Sequence, residues 1–281
     1  MQTIIEISQN KSVNMRYKTF RFKDKAINYR DEGRGSKCLV LLHGYMNSIE
    51  VWKFFIMEYM NSLRIIAIDL IGHGDSETIE EISTMELQAD MIKNLLDELQ
   101  IESCVMCGHS MGGMVTLAFN DKYPQMLKGY CLMNSQAIAD SEKGKQNRLR
   151  ACEILNNDKL KFIVDFIPNL FANSNKEKYT NEIEELKLIA SNTSKEGVIA
   201  AQKGMILRKD MCSVLTKSTC PVLFITGKYD IRVELETLLA QSCLPVHSEV
   251  MILPCGHMAF IEEELKVKLR LKDFVNYCYN I

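Results

Sequence analysis

A serine set between glycines constrains this chain more than any other feature: in Cys107-Gly108-His109-Ser110-Met111-Gly112-Gly113 the G-x-S-x-G spacing follows directly on an apolar segment. A strand that turns abruptly into a helix forces the residue at the turn into a strained backbone, and small neighbours at Gly108 and Gly112 let the chain close around it. Ser110 is then presented as a nucleophile. Residues 103–107 read as a short buried strand, and residues 114–123 as a helix stopped by Pro124. The bland alternative is a glycine-rich turn with an incidental serine, and the rest of the chain weighs against it.

With 281 residues, 47% hydrophobic and 25% charged, the chain has the length and composition for one large α/β domain carrying an insertion. A net charge of -2 from 34 basic and 36 acidic residues gives no field for nucleic acid or an anionic membrane surface, so a small or neutral partner is expected. Cysteines such as Cys38, Cys104, Cys107, Cys131 and Cys220 lie in apolar segments and read as buried thiols rather than a disulfide framework. Cys104 and Cys107 form C-x-x-C, but residues three apart in a strand point to opposite faces, which disfavours metal or redox pairing. Residues 1–15 lack a charged region followed by an apolar core, and no apolar run approaches the ~20 residues of a membrane span, so a cytoplasmic location is expected.

Residues 17–22 and 26–30 read as a hairpin around the polar turn Lys23-Asp24-Lys25. Residues 38–42 and 63–68 are largely apolar strands, each followed by helix or loop, the βαβ pattern of a mostly parallel sheet. A helix over 84–99 shows apolar residues at helical spacing with Ser83 or Thr84 as cap. A further strand follows at 127–133. Residues 135–219 hold no convincing apolar strand and read as a helical insertion, with a lid over the site as the favoured role. Strands resume at 221–225 and 249–252, before a final helix over 258–277.

A serine hydroxyl is a weak nucleophile at neutral pH and needs a histidine to take its proton and a carboxylate to orient that histidine. Asp230 follows the strand at 221–225 through Thr226-Gly227-Lys228-Tyr229, and His257 follows the 249–252 strand through Pro254-Cys255-Gly256. Both leave strands at their C-terminal ends, where sites of open parallel sheets collect. An acid relocated after the sixth strand is the rival to Asp230, but Asn134 and Gln136 offer no carboxylate there and Asp140 lies far along. Among other histidines, His43 reads as a loop brace, His109 as turned away from the substrate side, and His247 as a strand start without a glycine or acid beside it.

Four motifs, Leu42-His43-Gly44-Tyr45, the stretch Asp69-Leu70-Ile71-Gly72-His73-Gly74-Asp75-Ser76, Gly108 to Gly113, and Thr226 to Asp230 with Cys255-Gly256-His257, make the chain resemble the α/β-hydrolase superfamily from about residue 18 onward. The chain order Ser, Asp, His agrees. The resemblance implies a mostly parallel eight-stranded sheet flanked by helices, with residues 1–134 and 220–281 as core and 135–219 as a helical cap. It also implies an oxyanion hole from the backbone N–H groups of Tyr45 and Met111. Met46, Phe162, Phe166 and Phe171 are candidate pocket residues.

No metal-ligand spacing and no dinucleotide fingerprint is present, so neither metal nor cofactor is expected. The expected activity is that of a serine carboxylesterase acting on small to medium acyl esters through an acyl-enzyme. Within the family resemblance, dehalogenases and epoxide hydrolases carry aspartate at the serine position. C–C hydrolases often have asparagine before the serine and enol-lactonases leucine, where this chain has His109. C–C bond or lactone cleavage by the same residues, or a non-catalytic ligand sensor, are the alternatives.

Overall fold

Lys23 and Asp24, at φ 47° and 61°, form the tight two-residue turn that joins β1 (Lys18–Phe22) to β2 (Lys25–Glu32) as an antiparallel hairpin. Positive φ at both central residues matches the turn's twist to that of the strands. The structure, a computed structural model, describes residues 17–281. The reading of residues 1–15 as lacking a leader therefore lies outside the described residues.

From the hairpin the chain runs through β3 (Cys38–Leu42), α1 (Lys53–Tyr59), β4 (Arg64–Ile68), α2 (Met85–Glu98), β5 (Cys104–His109), α3 (Met111–Lys122) and β6 (Leu127–Met133). Five helices follow: α4 (Glu142–Asn157), α5 (Lys159–Phe166), α6 (Thr180–Asn192), α7 (Lys195–Leu207) and α8 (Cys212–Thr216). The chain then closes with β7 (Val222–Gly227), α9 (Leu235–Ser242), β8 (Ser248–Leu253), α10 (Ala259–Glu262) and α11 (Glu264–Asn280). The eight strands lie in the order β1-β2-β4-β3-β5-β6-β7-β8. β2 is antiparallel to β4, and every pair from β4 across to β8 is parallel.

Strands β3, β5 and β7 are buried at every residue, as strands covered on both faces by helices must be. β8 is an edge strand and mostly exposed. Helix α2 starts where its cap predicts, with Thr84 Oγ1 accepting from the Leu87 N–H at 3.1 Å. The helix after Ser110 begins at Met111 rather than three residues later, because Ser110 alone makes the turn and Gly112 and Gly113 already belong to the first helical turn. The final helix is interrupted at Glu263 (φ -134°). There the Glu262 side chain turns inward to accept from the Gly256 N–H at 2.8 Å and the Ala172 N–H at 3.1 Å. Among the described residues no helix is long and apolar enough to cross a membrane.

Candidate active site

Ser110 occupies the link between β5 and α3 with φ 51° and ψ -113°, a conformation a side-chain-bearing residue holds only under constraint. The constraint is visible on both sides. The Ser110 N–H donates to the Met133 carbonyl at 2.9 Å, and the Ser135 hydroxyl donates to the Ser110 carbonyl at 2.7 Å. A Cβ on Gly108 would stand 2.2 Å from the Gly112 carbonyl oxygen, and one on Gly112 2.5 Å from that of Leu42. Only glycine lets α3 lie this close to the strands that aim Ser110.

His257 stands on the loop between β8 and α10, held at both backbone groups. Its N–H donates to the Leu170 carbonyl at 2.7 Å, and its carbonyl accepts from His109 Nε2 at 2.9 Å. His257 Nε2 lies 2.9 Å from Ser110 Oγ, and Nδ1 lies 2.8 Å from Asp230 Oδ2. Asp230, just beyond β7, has both oxygens occupied. Oδ1 accepts from the N–H groups of Arg232 at 2.8 Å and Val233 at 3.2 Å, and Oδ2 accepts from Asn134 Nδ2 at 2.9 Å as well as facing His257. Burial alone would raise its carboxyl, but the His257 imidazole and these hydrogen bonds outweigh it and hold the group below the usual carboxylate range.

Asn134, at φ 47°, was visible in the sequence only as a position without a carboxylate; the structure makes it a clamp between Asp230 and the Gly256 carbonyl, which it reaches at 3.2 Å. His109 does turn from the cavity, and sequence alternation missed what it meets there, the His257 carbonyl. Burial first and the neighbouring His257 second push His109 down to about 3, so it is neutral. His43 donates from Nδ1 to its neighbouring Gly44 carbonyl at 2.8 Å and accepts from the Leu70 N–H at Nε2 at 3.0 Å, a brace between two loops. No three His, Cys, Asp or Glu side chains among the described residues converge as metal ligands.

Ser110 and His257 open into a cavity of about 630 Å³, within the size range of small-molecule sites, walled by Tyr45 and by residues of α4, α5 and α7. Phe162 and Phe166 line it, their rings stacked 5.2 Å apart. Two expected pocket residues lie elsewhere. Met46, at φ 60°, is fully buried in the core and outside the lining. Phe171 is buried with its ring 6.0 Å from Tyr179, also outside the lining. Met111 opens α3, so its N–H has no carbonyl one helical turn earlier to bond. Asp140, far from Asp230 in sequence, reaches the cavity wall, where it pairs with Arg148 and with Arg208.

Residues 37–264 match a family model described as alpha/beta hydrolase fold. The chain is 31% identical to epoxide hydrolase 4 of Mus musculus over 120 residues, 41% of this chain and 33% of that protein. It is 26% identical over 260 residues to the dihydrolipoyllysine-residue acetyltransferase component of the acetoin cleaving system of Pseudomonas putida, 86% of this chain and 64% of that protein. The chain thus spans less than two thirds of the length of either curated relative. A solved thermophilic esterase from Thermogutta terrifontis, with malate bound, aligns at TM-score 0.87 and 28% identity, covering 94% of this chain and 99% of that one. The family match, taking in most of the chain, agrees with the strand order and the strand-to-helix turn at Ser110: this chain belongs to the α/β-hydrolase fold family.

Proposed function

We propose that this hydrolase is a serine carboxylesterase that cleaves small to medium acyl esters through an acyl-enzyme. The observation that carries the reading is the continuous relay from Ser110 Oγ through the His257 ring to Asp230, with contacts of 2.9 and 2.8 Å. In the first step Ser110 Oγ attacks the ester carbonyl as His257 Nε2 takes its proton, and the same imidazole returns the proton to the departing alcohol. In the second step His257 draws a proton from water as its oxygen attacks the acyl carbon, and the imidazolium returns that proton to Ser110 Oγ as the acyl C–O bond breaks and the acid leaves. Asp230 keeps the Nδ1–H of His257 pointing at itself and stabilises the imidazolium that forms in each step. The backbone N–H groups of Tyr45 and Met111 are assigned to the oxyanion, a donor pair in which each member is worth about 3 to 4 kcal/mol. Residues 135–219 act as the cap, and the wall they contribute to the cavity supports this role.

Ser110 stands where the family's epoxide hydrolases carry aspartate, which separates this chain from the activity named for the mouse relative. The similarity to the Thermogutta terrifontis esterase supports the reading. Incubation with a fluorophosphonate probe and a p-nitrophenyl ester series tests it: the expected result is labelling on Ser110 with ester turnover, both lost in Ser110→Ala. Labelling on another residue, or none, overturns the assignment. A trace of activity in the variant does not, because binding and the oxyanion hole alone leave about 10³- to 10⁴-fold over water.

A further inference from the structure

The cavity wall is basic although the chain as a whole is slightly acidic. Arg148, Arg150, Lys161 and Arg232 line it against Asp140 and Asp165, in a chain of net charge -2. Asp140 is already shared: Oδ2 pairs with Arg148 Nε and Oδ1 with Arg208 Nη2, so one carboxylate stands between two guanidinium groups. Arg148 Nη1 donates to Gln202 Oε1 at 3.0 Å, which leaves its Nη2 group without an acceptor among the described residues. Arg232 has no carboxylate at ion-pair distance among the described residues and remains solvent-accessible. Its guanidinium carbon lies 4.7 Å over the Phe166 ring.

Arg232 is also tied to the reacting groups. Its backbone N–H holds Asp230 Oδ1 at 2.8 Å, and the Phe166 ring beneath its guanidinium packs edge-on to Tyr45 at 6.0 Å. A planar guanidinium stacked on an aromatic face keeps its N–H edge free, and that edge matches a carboxylate in a two-point contact. Asp230 is the carboxylate that acts most on the Arg232 charge, but its oxygens are already taken by the Arg232 and Val233 N–H groups, Asn134 and His257, so the exposed guanidinium edge is left for an anionic ligand.

We propose that the cavity selects esters or lactones whose acyl part carries a carboxylate, held by Arg232 with Arg148 alongside while the neutral ester carbonyl lies at Ser110. The proposal rests on the serine-hydrolase reading of the same site and names its substrate class. Ser110, both arginines, Phe162 and Phe166 line this one cavity, which gives the acyl methylenes apolar wall between the reacting carbonyl and the cationic groups.

The test compares mono-p-nitrophenyl glutarate with p-nitrophenyl pentanoate, which have equal acyl length and differ in the terminal carboxylate. The wild type is expected to favour the glutarate ester at least tenfold in kcat/KM, less so as salt is raised. Arg232→Gln is expected to reduce the ratio of the two kcat/KM values at least tenfold, and Arg232→Lys to recover part of it. A wild-type ratio of one or less, or an equal change for both esters in Arg232→Gln, overturns the proposal. Turnover of neither ester, with no probe labelling, sinks the serine-hydrolase reading instead. Calorimetric binding of glutarate then decides the anion site alone: at least tenfold weakening in Arg232→Gln supports it, and equal binding overturns it.

Discussion

The side chain of His109 holds the backbone of His257: its Nε2–H donates to the His257 carbonyl at 2.9 Å, and the two rings lie 5.0 Å apart. The residue before Ser110 thus fixes the loop that carries the imidazole reaching Ser110. Phe260 packs on its other side with ring centroids 4.8 Å apart, and Gly44 faces its Nδ1, where a Cβ would stand at 2.5 Å. His109 therefore has one orientation available to it.

His109→Phe keeps an aromatic ring, though a larger one, and removes the donor, leaving a buried carbonyl unpaired at a cost of about 1 to 3 kcal/mol. Because that carbonyl belongs to His257, kcat is expected to fall about tenfold with KM little changed, alongside a lower melting temperature. A drop in melting temperature with kcat within twofold of wild type would show that His109 serves packing alone.

Asp230→Asn is expected to lower kcat on the scale of the ~10⁴-fold penalty for the wrong histidine tautomer. Asn134 is separable from it by two substitutions. Asn134→Ala removes the amide and keeps a Cβ at φ 47°, whereas Asn134→Gly removes the amide and relieves the backbone. If the hydrogen bond to Asp230 positions the acid, both variants lose about tenfold in kcat. Recovery of wild-type kcat in the glycine variant alone would assign the effect to backbone strain.

Three histidines make stability sensitive to mild acid. Burial, the largest influence on each, pushes His43 and His109 down to about 3 and His73 to about 4. An unfolded chain protonates the same groups near 6.5, so below that pH the unfolded state binds more protons and stability falls. The contribution is complete above about pH 6.5 and is lost as pH drops through 4 towards 3, with a slope of up to about 4 kcal/mol per pH unit near pH 5. Asp230, held low, adds its loss only in the carboxylate range below. Urea midpoints at pH 8, 7, 6 and 5 measure this, and a midpoint constant from pH 7 to pH 5 contradicts it.

What could be read in the residues was set by periodicity and by turns. Strands β3, β5 and β7 are buried on both faces, so they stand out as unbroken apolar runs; Ser110 and Asp230 sit beyond the ends of β5 and β7, while His257 follows the mostly exposed edge strand β8. Side-chain direction in the loops was not legible. Met46 and Phe171 are apolar and were expected at the pocket, yet the left-handed backbone at Met46 and the Tyr179 contact of Phe171 leave both side chains inside the core. The role of Asn134 depends on Asp230 and Gly256, both strands away along the chain, and no local pattern encodes it. The inward turn of Glu262, next to the break in the last helix, depends in the same way on distant N–H groups of Gly256 and Ala172.

Phe162 provides the test of acyl length. It lies on the cavity wall, half-buried, stacked on Phe166, and it is carried by α5, away from the residues that hold Ser110 and His257. Truncation to alanine removes wall volume without removing a hydrogen bond. Each methylene accommodated in an apolar pocket is worth about 1 to 3 kcal/mol in discrimination, so Phe162→Ala is expected to move the preferred p-nitrophenyl ester to a longer acyl chain. The acetate ester, too short to fill the enlarged space, loses kcat/KM relative to the octanoate ester by at least several-fold. An equal loss across the whole series, or a lower melting temperature with the preference unmoved, would place Phe162 in the packing of the helical segment rather than in substrate selection.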